Sequence, residues 1–414
     1  MKHTLHVGTL AGLLVGPVLG SGVILLPPMA LAGAGDRSFA AWAITLVLMG
    51  IFAGVTAVLC MRYPGDGGLV EAVGGAFGPG FRDVCGWLML GAVCFGPAAV
   101  TFTAGTYLAA LLPVPGGAFG GAILLVAACM LLLFRRVSFV GRLSLISSTL
   151  IGVALFAGSV WALLHPEQLS ALPAPSAASF GRTLLLLFWA VIGWEVLGNY
   201  TLEIERPNRT IPLAVTLSFL AIAAIYLAVA RALPLVRASE GAIPSMTDLL
   251  RPLFGASAPA LLTVLGTLLC GCTYLMVVGG AARLAASMAE RGRLPRAFSL
   301  RNGNGIPVRA VMALGCIHTL SLSLAGLGVL NLASLVGTAN GLFLLNALFI
   351  VCAAIRLLPN RAVRMASLVL AAGFAVIFTF ADRLSLLAVV TVLVLSRIGE
   401  GPAACGGLPE VAGD

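Results

Sequence analysis

Glu195 is a solitary carboxyl in an otherwise uncharged run. It is the only formal charge between Thr183 and Leu202, and about 20 apolar residues suffice to cross a bilayer. A charge at that depth costs about 2.5–3.5 kcal/mol on insertion scales, so this carboxyl is expected to face a cavity or a partner and not lipid. Such a group can take up and release a proton as its surroundings alternate between wet and dry. Gly193 stands two residues before it. A glycine beside a buried acid is where a helical hydrogen-bond ladder can open and present bare backbone groups to a ligand. A plainer role for Glu195, a hydrogen bond across helices, stays open on these grounds alone.

A second constellation lies near the amino terminus, in GPVLGSGVILLPP, residues 16–28. Gly20, Ser21 and Gly22 in a row, with Pro17, Pro27 and Pro28 around them, remove helix propensity and backbone donors where a continuous helix would need them. The helix is therefore expected to break near Gly20. Freed amides at the start of its second half would form an anion site suited to a carboxylate and reinforced by the helix dipole. Close helix packing through small residues is the competing explanation. The second interruption, at Gly193, tips the balance toward a ligand site.

These residues must be held by membrane-spanning elements. The 414-residue chain is 60% hydrophobic and 9% charged, with mean hydropathy +1.08, whereas soluble domains carry about 25% charged residues. Apolar runs between breaks predict about twelve spans, near 8–33, 39–61, 82–112, 118–134, 143–164, 183–202, 212–232, 257–289, 308–327, 330–355, 365–381 and 384–397. An even number places both termini on one side. Loops on that side collect Lys2, Arg62, Arg135, Arg136, Arg142, Arg206, Arg209, Arg291, Arg293, Arg296, Arg301, Arg309, Arg356, Arg361, Arg364 and Arg397, against Arg37, Arg182, Arg231, Arg237, Arg251 and Arg383 opposite. The positive-inside rule then makes both termini cytoplasmic. It also accounts for the net charge of +9 without nucleic acid, since the arginines are scattered over short loops and form no patch. No cleaved signal is expected, because Lys2 runs straight into an apolar segment.

The two interrupted spans, first and sixth, begin two sets of five. Five is odd, so the second set inserts upside down relative to the first, and paired breaks in inverted halves point to a transport site at the midplane. The expected division is 1–164, 165–356, and a remainder of two helices and a tail, 357–414. Connections on the side of the termini carry further pattern: a turn and short amphipathic segment over 62–81, ERPNRTIP over 205–212 and ARLAASMAERGRLPRAF over 282–298. Asp66, Glu71, Glu203, Glu205 and Glu290 can pair there with arginines, some of them as a gate. Nothing points to an enzyme: no nucleophile stands with a base, no phosphate loop occurs, and the nine cysteines are dispersed. His3 and His6 are terminal, His165 lies in a loop and His318 stands alone in an apolar helix, so no metal set is expected. No cofactor is implied either.

Taken jointly and in order, GSGVILLP, YPGDGG, FWAVIGWE with ERPNRTIP, and AERGRLP resemble the recurring motifs of the amino acid-polyamine-organocation superfamily. Within it the chain most resembles the bacterial methionine and branched-chain amino acid exporters. The resemblance implies an all-α polytopic membrane protein of the LeuT type, a five-plus-five inverted repeat with broken helices 1 and 6 and two added helices, in the cell inner membrane. It further implies that a substrate carboxylate meets Ser21 and Gly22, past the break at Gly20, and that its amino group meets carbonyls near Val18 and from Trp189 to Ile192.

Departures from relatives sharpen the expectation. Span 5 has no lysine or arginine in its middle, and span 8 offers only Thr273 and Ser287 as well-placed hydroxyls. A sodium site needs several oxygens, so coupling falls to protons through Glu195. Gly96–Ala99, GPAA, replaces the polar residue some relatives use to read side chains. The pocket walls are then Val18, Val23, Pro97, Trp189, Ile192, Trp194 and Tyr274, with Gly193 at the second break. These suit methionine, leucine, isoleucine and valine. The leading expectation is export of such amino acids in exchange for protons. Proton-driven uptake and a non-transporting receptor or scaffold are the alternatives. The partners expected are amino acid, proton and lipid bilayer, and nothing in the sequence bears on oligomeric state.

Overall fold

The computed structural model describes residues 5–134, 137–167, 174–239, 243–330 and 332–398. Lys2, His3, Arg135, Arg136 and the carboxyl-terminal tail from residue 399 lie outside the described residues, as does the side chain of Arg397. Described residues form helices and no strand. Helix α1 (Val7–Leu19) and α2 (Gly22–Ala34) are the two halves of the first expected span, followed by α3 (Ser38–Arg62), α4 (Val70–Phe77), α5 (Pro79–Leu111), α6 (Gly117–Leu132) and α7 (Val137–Leu164). The sixth span begins as α8 (Ala177–Leu187) and continues as two 3-10 turns, Phe188–Ala190 and Glu195–Glu203. The rest are α9 (Pro207–Ala232), α10 (Met246–Phe254), α11 (Ala258–Glu290), α12 (Val308–Gly326), α13 (Leu332–Leu357), α14 (Arg361–Phe378) and α15 (Arg383–Ile398).

Nine described helical stretches are long and apolar enough to cross a membrane, the first of them, Val7–Arg62, carrying both of the first two expected spans. Gly117–Leu132 and Arg383–Ser396 are apolar but shorter; at 1.5 Å per residue the former rises about 24 Å, less than the ~30 Å hydrocarbon core. Two short helices frame the spans. Helix α4 is the amphipathic segment expected within 62–81. Helix α10 was not expected from the apolar pattern, because its signal is a cap: Ser245 Oγ accepts from the Asp248 amide at 3.2 Å while Asp248 Oδ2 accepts from the Ser245 amide at 2.9 Å, satisfying two groups at the helix start.

The core of the bundle is α1, α5, α11 and α13. Helix α5 packs along α6, α11 and α13, and α1 packs on α7, α9 and α11. Helices α14 and α15 lie outside, against α3 and α13, and α5 and α13, respectively. Leu5 forms an isolated parallel bridge with Ile204, its amide donating to Glu203 O and its carbonyl accepting from the Glu205 amide, both at 3.0 Å. The amino-terminal ends of the first span and the far end of the sixth are thereby joined.

Candidate functional site

The first span breaks at Gly20, whose φ of +26° and ψ of −132° suit glycine alone. A Cβ there would lie 2.5 Å from Thr273 Oγ1. The last carbonyls of a helix can take donors from outside it; Gly16 O accepts from the Gly20 amide at 2.7 Å, and hydroxyls from distant helices add to the end of α1. Thr273 of α11 donates to Gly16 O at 2.8 Å, and Tyr226 of α9 donates to Val18 O at 3.0 Å. On the other side of the break Ser21 O already accepts from Leu25 N at 3.0 Å. The amides of Ser21, Gly22 and Val23 therefore sit in a first turn, where no preceding carbonyl is in register to receive them.

In the sixth span the α-helix stops at Leu187, and the chain does not return to α geometry before Pro207. Gly193, at φ +120°, is the pivot. Its missing side chain lets the two breaks touch: a Cβ there would be 3.0 Å from Pro17 Cβ and 3.2 Å from Val18 Cγ2. The segment after it is clamped from outside the span. Asn199 Nδ2 donates to Asp66 O at 3.0 Å, Thr201 Oγ1 accepts from Gly65 N at 2.9 Å, and Tyr200 OH donates to Met276 O at 2.8 Å.

Two cavities flank the breaks. The inner one, about 30 Å³, is lined by Pro17, Gly96, Pro97, Val100, Trp189, Ile192, Gly193, Thr273, Tyr274, Val277 and Phe343, none of them charged; it is about one water's share of liquid volume. The larger, about 400 Å³, is a vestibule on the side away from the amino terminus, reaching from Ser21, Leu25 and Met29 past Leu185, Leu186 and Asn340 to Arg182 and Asp382. Trp189 lines both and is the partition between them.

Of the residues expected at the site, Pro97, Trp189, Ile192, Gly193 and Tyr274 line the inner cavity and Ser21 the vestibule. Gly22 faces the same region, since a Cβ on it would lie 3.0 Å from the Tyr226 hydroxyl and 3.6 Å from Trp189 Cδ1. Gly20 and Val18 form the break itself, and the Val18 carbonyl is occupied by Tyr226. Val23 and Trp194 are buried in the surrounding core and line neither cavity. His318, read from the sequence as solitary, is fully buried and bonded at both ring nitrogens: Nε2 lies 2.7 Å from Val93 O, and Nδ1 lies 2.8 Å from the Tyr274 hydroxyl. A carbonyl only accepts, so in the neutral ring Nε2 carries the hydrogen and Nδ1 accepts from Tyr274.

Glu195 is 4% exposed and lines neither cavity. It follows Gly193 on the side toward the amino terminus, and its neighbours there include Asn346 of α13 and Cys85 of α5. Glu195 Oε1, Asn346 Oδ1 and Trp194 Nε1 are all buried without a hydrogen-bond partner. Polar atoms left without a partner in a low-dielectric interior are costly. Asn346, an amide in the apolar run of α13, was the sequence signal for this surround, and sequence reasoning passed over it.

The end of the bundle near the termini is closed by ion pairs. Arg291 meets Glu71 and Arg293 meets Asp83, each at 2.8 Å; Arg301 meets Asp66 at 2.8 Å and Glu290 at 3.3 Å; Arg283 meets Glu203 at 2.6 Å. Four of the five acids expected to pair with arginine do so. Glu205 instead meets His6 Nδ1 at 2.7 Å, because the Leu5–Ile204 bridge brings the terminus alongside it. Asp83, not anticipated, is the most buried acid of the group, at 8% side-chain exposure.

Comparison with known proteins agrees with this arrangement. The amino acid permease family profile matches residues 5–397. The chain is 30% identical over 376 residues to the L-methionine/branched-chain amino acid exporter YjeH of Escherichia coli, covering 87% of this chain and 88% of that one. It is 28% identical to the cadaverine/lysine antiporter of E. coli, over 73% of this chain and 70% of that one, and 27% identical to the serine/threonine exchanger SteT of Bacillus subtilis, over 70% and 68%. Exporters, antiporters and permeases of amino acids are thus the relatives of a helical, multi-pass chain with two interrupted spans. The chain belongs to the amino acid permease family of the amino acid-polyamine-organocation superfamily, with its LeuT-type fold, and is an amino acid transporter, not an enzyme.

Proposed function

We propose that this transporter exports methionine, leucine, isoleucine and valine in exchange for protons, by alternating access across the cell inner membrane. The observation that carries the reading is that the two breaks meet around an inner cavity whose lining holds no charged side chain. A lysine or aspartate side chain would enter it uncompensated, at a cost of several kcal/mol, whereas each buried methylene of an apolar one gains about 0.8 kcal/mol. The first-turn amides at Ser21 and Gly22 would receive the carboxylate, and backbone carbonyls from Trp189 to Ile192 the ammonium group. The name of the E. coli exporter points the same way.

The arginine-rich loops support a cytoplasmic side for both termini. The vestibule then opens outward, and the ion pairs close the inner side. Residues 1–164 and 165–356 act as the inverted halves, and 357–414 as an addition. The inner cavity is too small for leucine, so loading requires Trp189 and α8 to move relative to α1 and α5. Glu195 carries the coupling proton, exchanging it as the span rearranges between dry and wet states.

Counterflow of labelled leucine in proteoliposomes, with and without a pH gradient, tests this. Leucine and methionine should exchange, lysine should not, and an inward proton gradient should drive leucine out. Accumulation with the proton gradient instead identifies an uptake permease, and absence of any exchange removes transport of these substrates. In cells lacking other exporters, expression should protect against methionyl and leucyl dipeptides. Protection against lysyl dipeptides instead would overturn the apolar pocket.

A further inference from the structure

Pro97 lines the inner cavity from within α5, and it has no amide hydrogen to give to the carbonyl four residues back, that of Val93. His318 supplies a donor from a different helix: its Nε2 lies 2.7 Å from Val93 O. In the neutral ring that nitrogen is the donor, which makes Nδ1 an acceptor, and Nδ1 is 2.8 Å from the hydroxyl of Tyr274 in α11. Tyr274 is itself a wall of the inner cavity. One imidazole thus joins two walls, Tyr274 directly and Pro97 by way of the Val93 carbonyl.

His318 stands in α12, none of whose residues lines the inner cavity. Its neighbours Ile317 and Leu320 are exposed on the outside of the bundle, whereas His318 is fully buried. An aliphatic residue would serve packing alone, because a buried polar ring is costly unless its nitrogens are paired. What the imidazole adds is a donor and an acceptor at fixed spacing. The Tyr274 hydroxyl has a second contact, Met130 Sδ at 3.9 Å, but a thioether is a weak acceptor, so His318 takes the hydrogen. The two rings meet edge to face, with centroids 5.2 Å apart and planes at 75°, and the bond therefore also fixes the plane of the phenol. With its hydroxyl engaged in this way, Tyr274 offers the cavity an aromatic ring and no free donor.

We propose that His318 is a positioning residue of the substrate site: it holds the Tyr274 hydroxyl out of the inner cavity and keeps that wall apolar, which sets the preference for an aliphatic over a hydroxylated side chain. The inference rests on the reading of the substrate as a neutral apolar amino acid.

Binding of labelled leucine to the detergent-solubilised full-length protein, and its displacement by serine, tests the role. His318→Gln sets an amide donor and an amide acceptor at a spacing close to that of the two ring nitrogens; leucine affinity and the preference over serine should stay near wild type. His318→Leu carries neither group and frees the Tyr274 hydroxyl; leucine affinity should fall and the preference over serine should narrow, each by roughly two- to tenfold, the net contribution of one hydrogen bond. Tyr274→Phe cuts the same link without leaving a hydroxyl to turn inward, so leucine affinity should fall in the same range while the preference over serine is retained, and this variant reports on the link even if His318→Leu does not fold. Ser321→Ala, one turn further along α12, removes a hydroxyl bonded to Cys94 O at 3.4 Å; it controls for contact between α12 and α5 and should behave as wild type. An unchanged preference in His318→Leu, a Gln variant no better than the Leu variant, wild-type leucine affinity in Tyr274→Phe, or the same narrowing in Ser321→Ala each overturns the positioning role and leaves the substrate reading intact. No leucine bound by the wild-type protein overturns both.

Discussion

The contact between the two breaks turns on one missing methyl group. In Gly193→Ala the new Cβ would sit 3.0 Å from Pro17 Cβ, 3.2 Å from Val18 Cγ2 and 3.5 Å from the Val18 amide, at a backbone φ of +120°. An L-residue held in such a region costs about 1–3 kcal/mol, and overpacking a well-filled interior adds about 1–3 kcal/mol. The packing part falls on Pro17 and Val18, the last turn before the first break, so it acts on the geometry of the site. At 1.4 kcal/mol per tenfold, that part alone corresponds to roughly a five- to hundredfold loss of leucine affinity. Gly255→Ala is the matched control: its φ is +53°, and nothing lies within 4 Å of an added Cβ. It should lower the melting temperature through backbone strain yet leave leucine binding and counterflow as in wild type. Both variants are to be measured by thermal unfolding in detergent and by leucine binding. Equal affinity in Gly193→Ala and Gly255→Ala would refute the claim that contact between the breaks shapes the site.

Three further outcomes follow from the same geometry. Gly22→Leu places a branched side chain where even a Cβ is 3.0 Å from the Tyr226 hydroxyl; leucine binding should vanish while the protein stays folded in detergent, with a lowered melting temperature, and wild-type affinity would remove Gly22 from the site. Glu195→Gln should retain leucine exchange but lose its response to a pH gradient, and an unchanged response would make Glu195 structural. Asp83→Asn leaves Arg293 facing a neutral group in a partly buried pair; with the loss discounted for exposure to about 1–3 kcal/mol, hydrogen exchange over residues 63–78 should speed up severalfold, and unchanged exchange there would show that this pair is no latch.

The sequence alone determined which stretches are apolar enough to cross a membrane and where its helices must fail. Apolar runs long enough for a bilayer have few alternatives, and Gly20 and Gly193 mark breaks because only glycine tolerates the backbone angles found there. Glu195 was legible as an anomaly for a similarly local reason, a carboxyl without a neighbouring charge in an apolar run. What these residues face was decided by tertiary structure. Thr273 and Tyr226 reach the carbonyls at the first break from α11 and α9, a pairing that no local spacing encodes. Trp189 and Trp194 looked equivalent as pocket walls, but the segment between them is not α-helical, so the 3.6-residue period that assigns faces fails, and of the two it is Trp189 that lines the cavities at the breaks. His318 gained two partners and Glu205 exchanged an arginine for His6, because each depends on which distant element arrives alongside. Local backbone chemistry thus placed the breaks, and long-range packing chose the side chains that surround them.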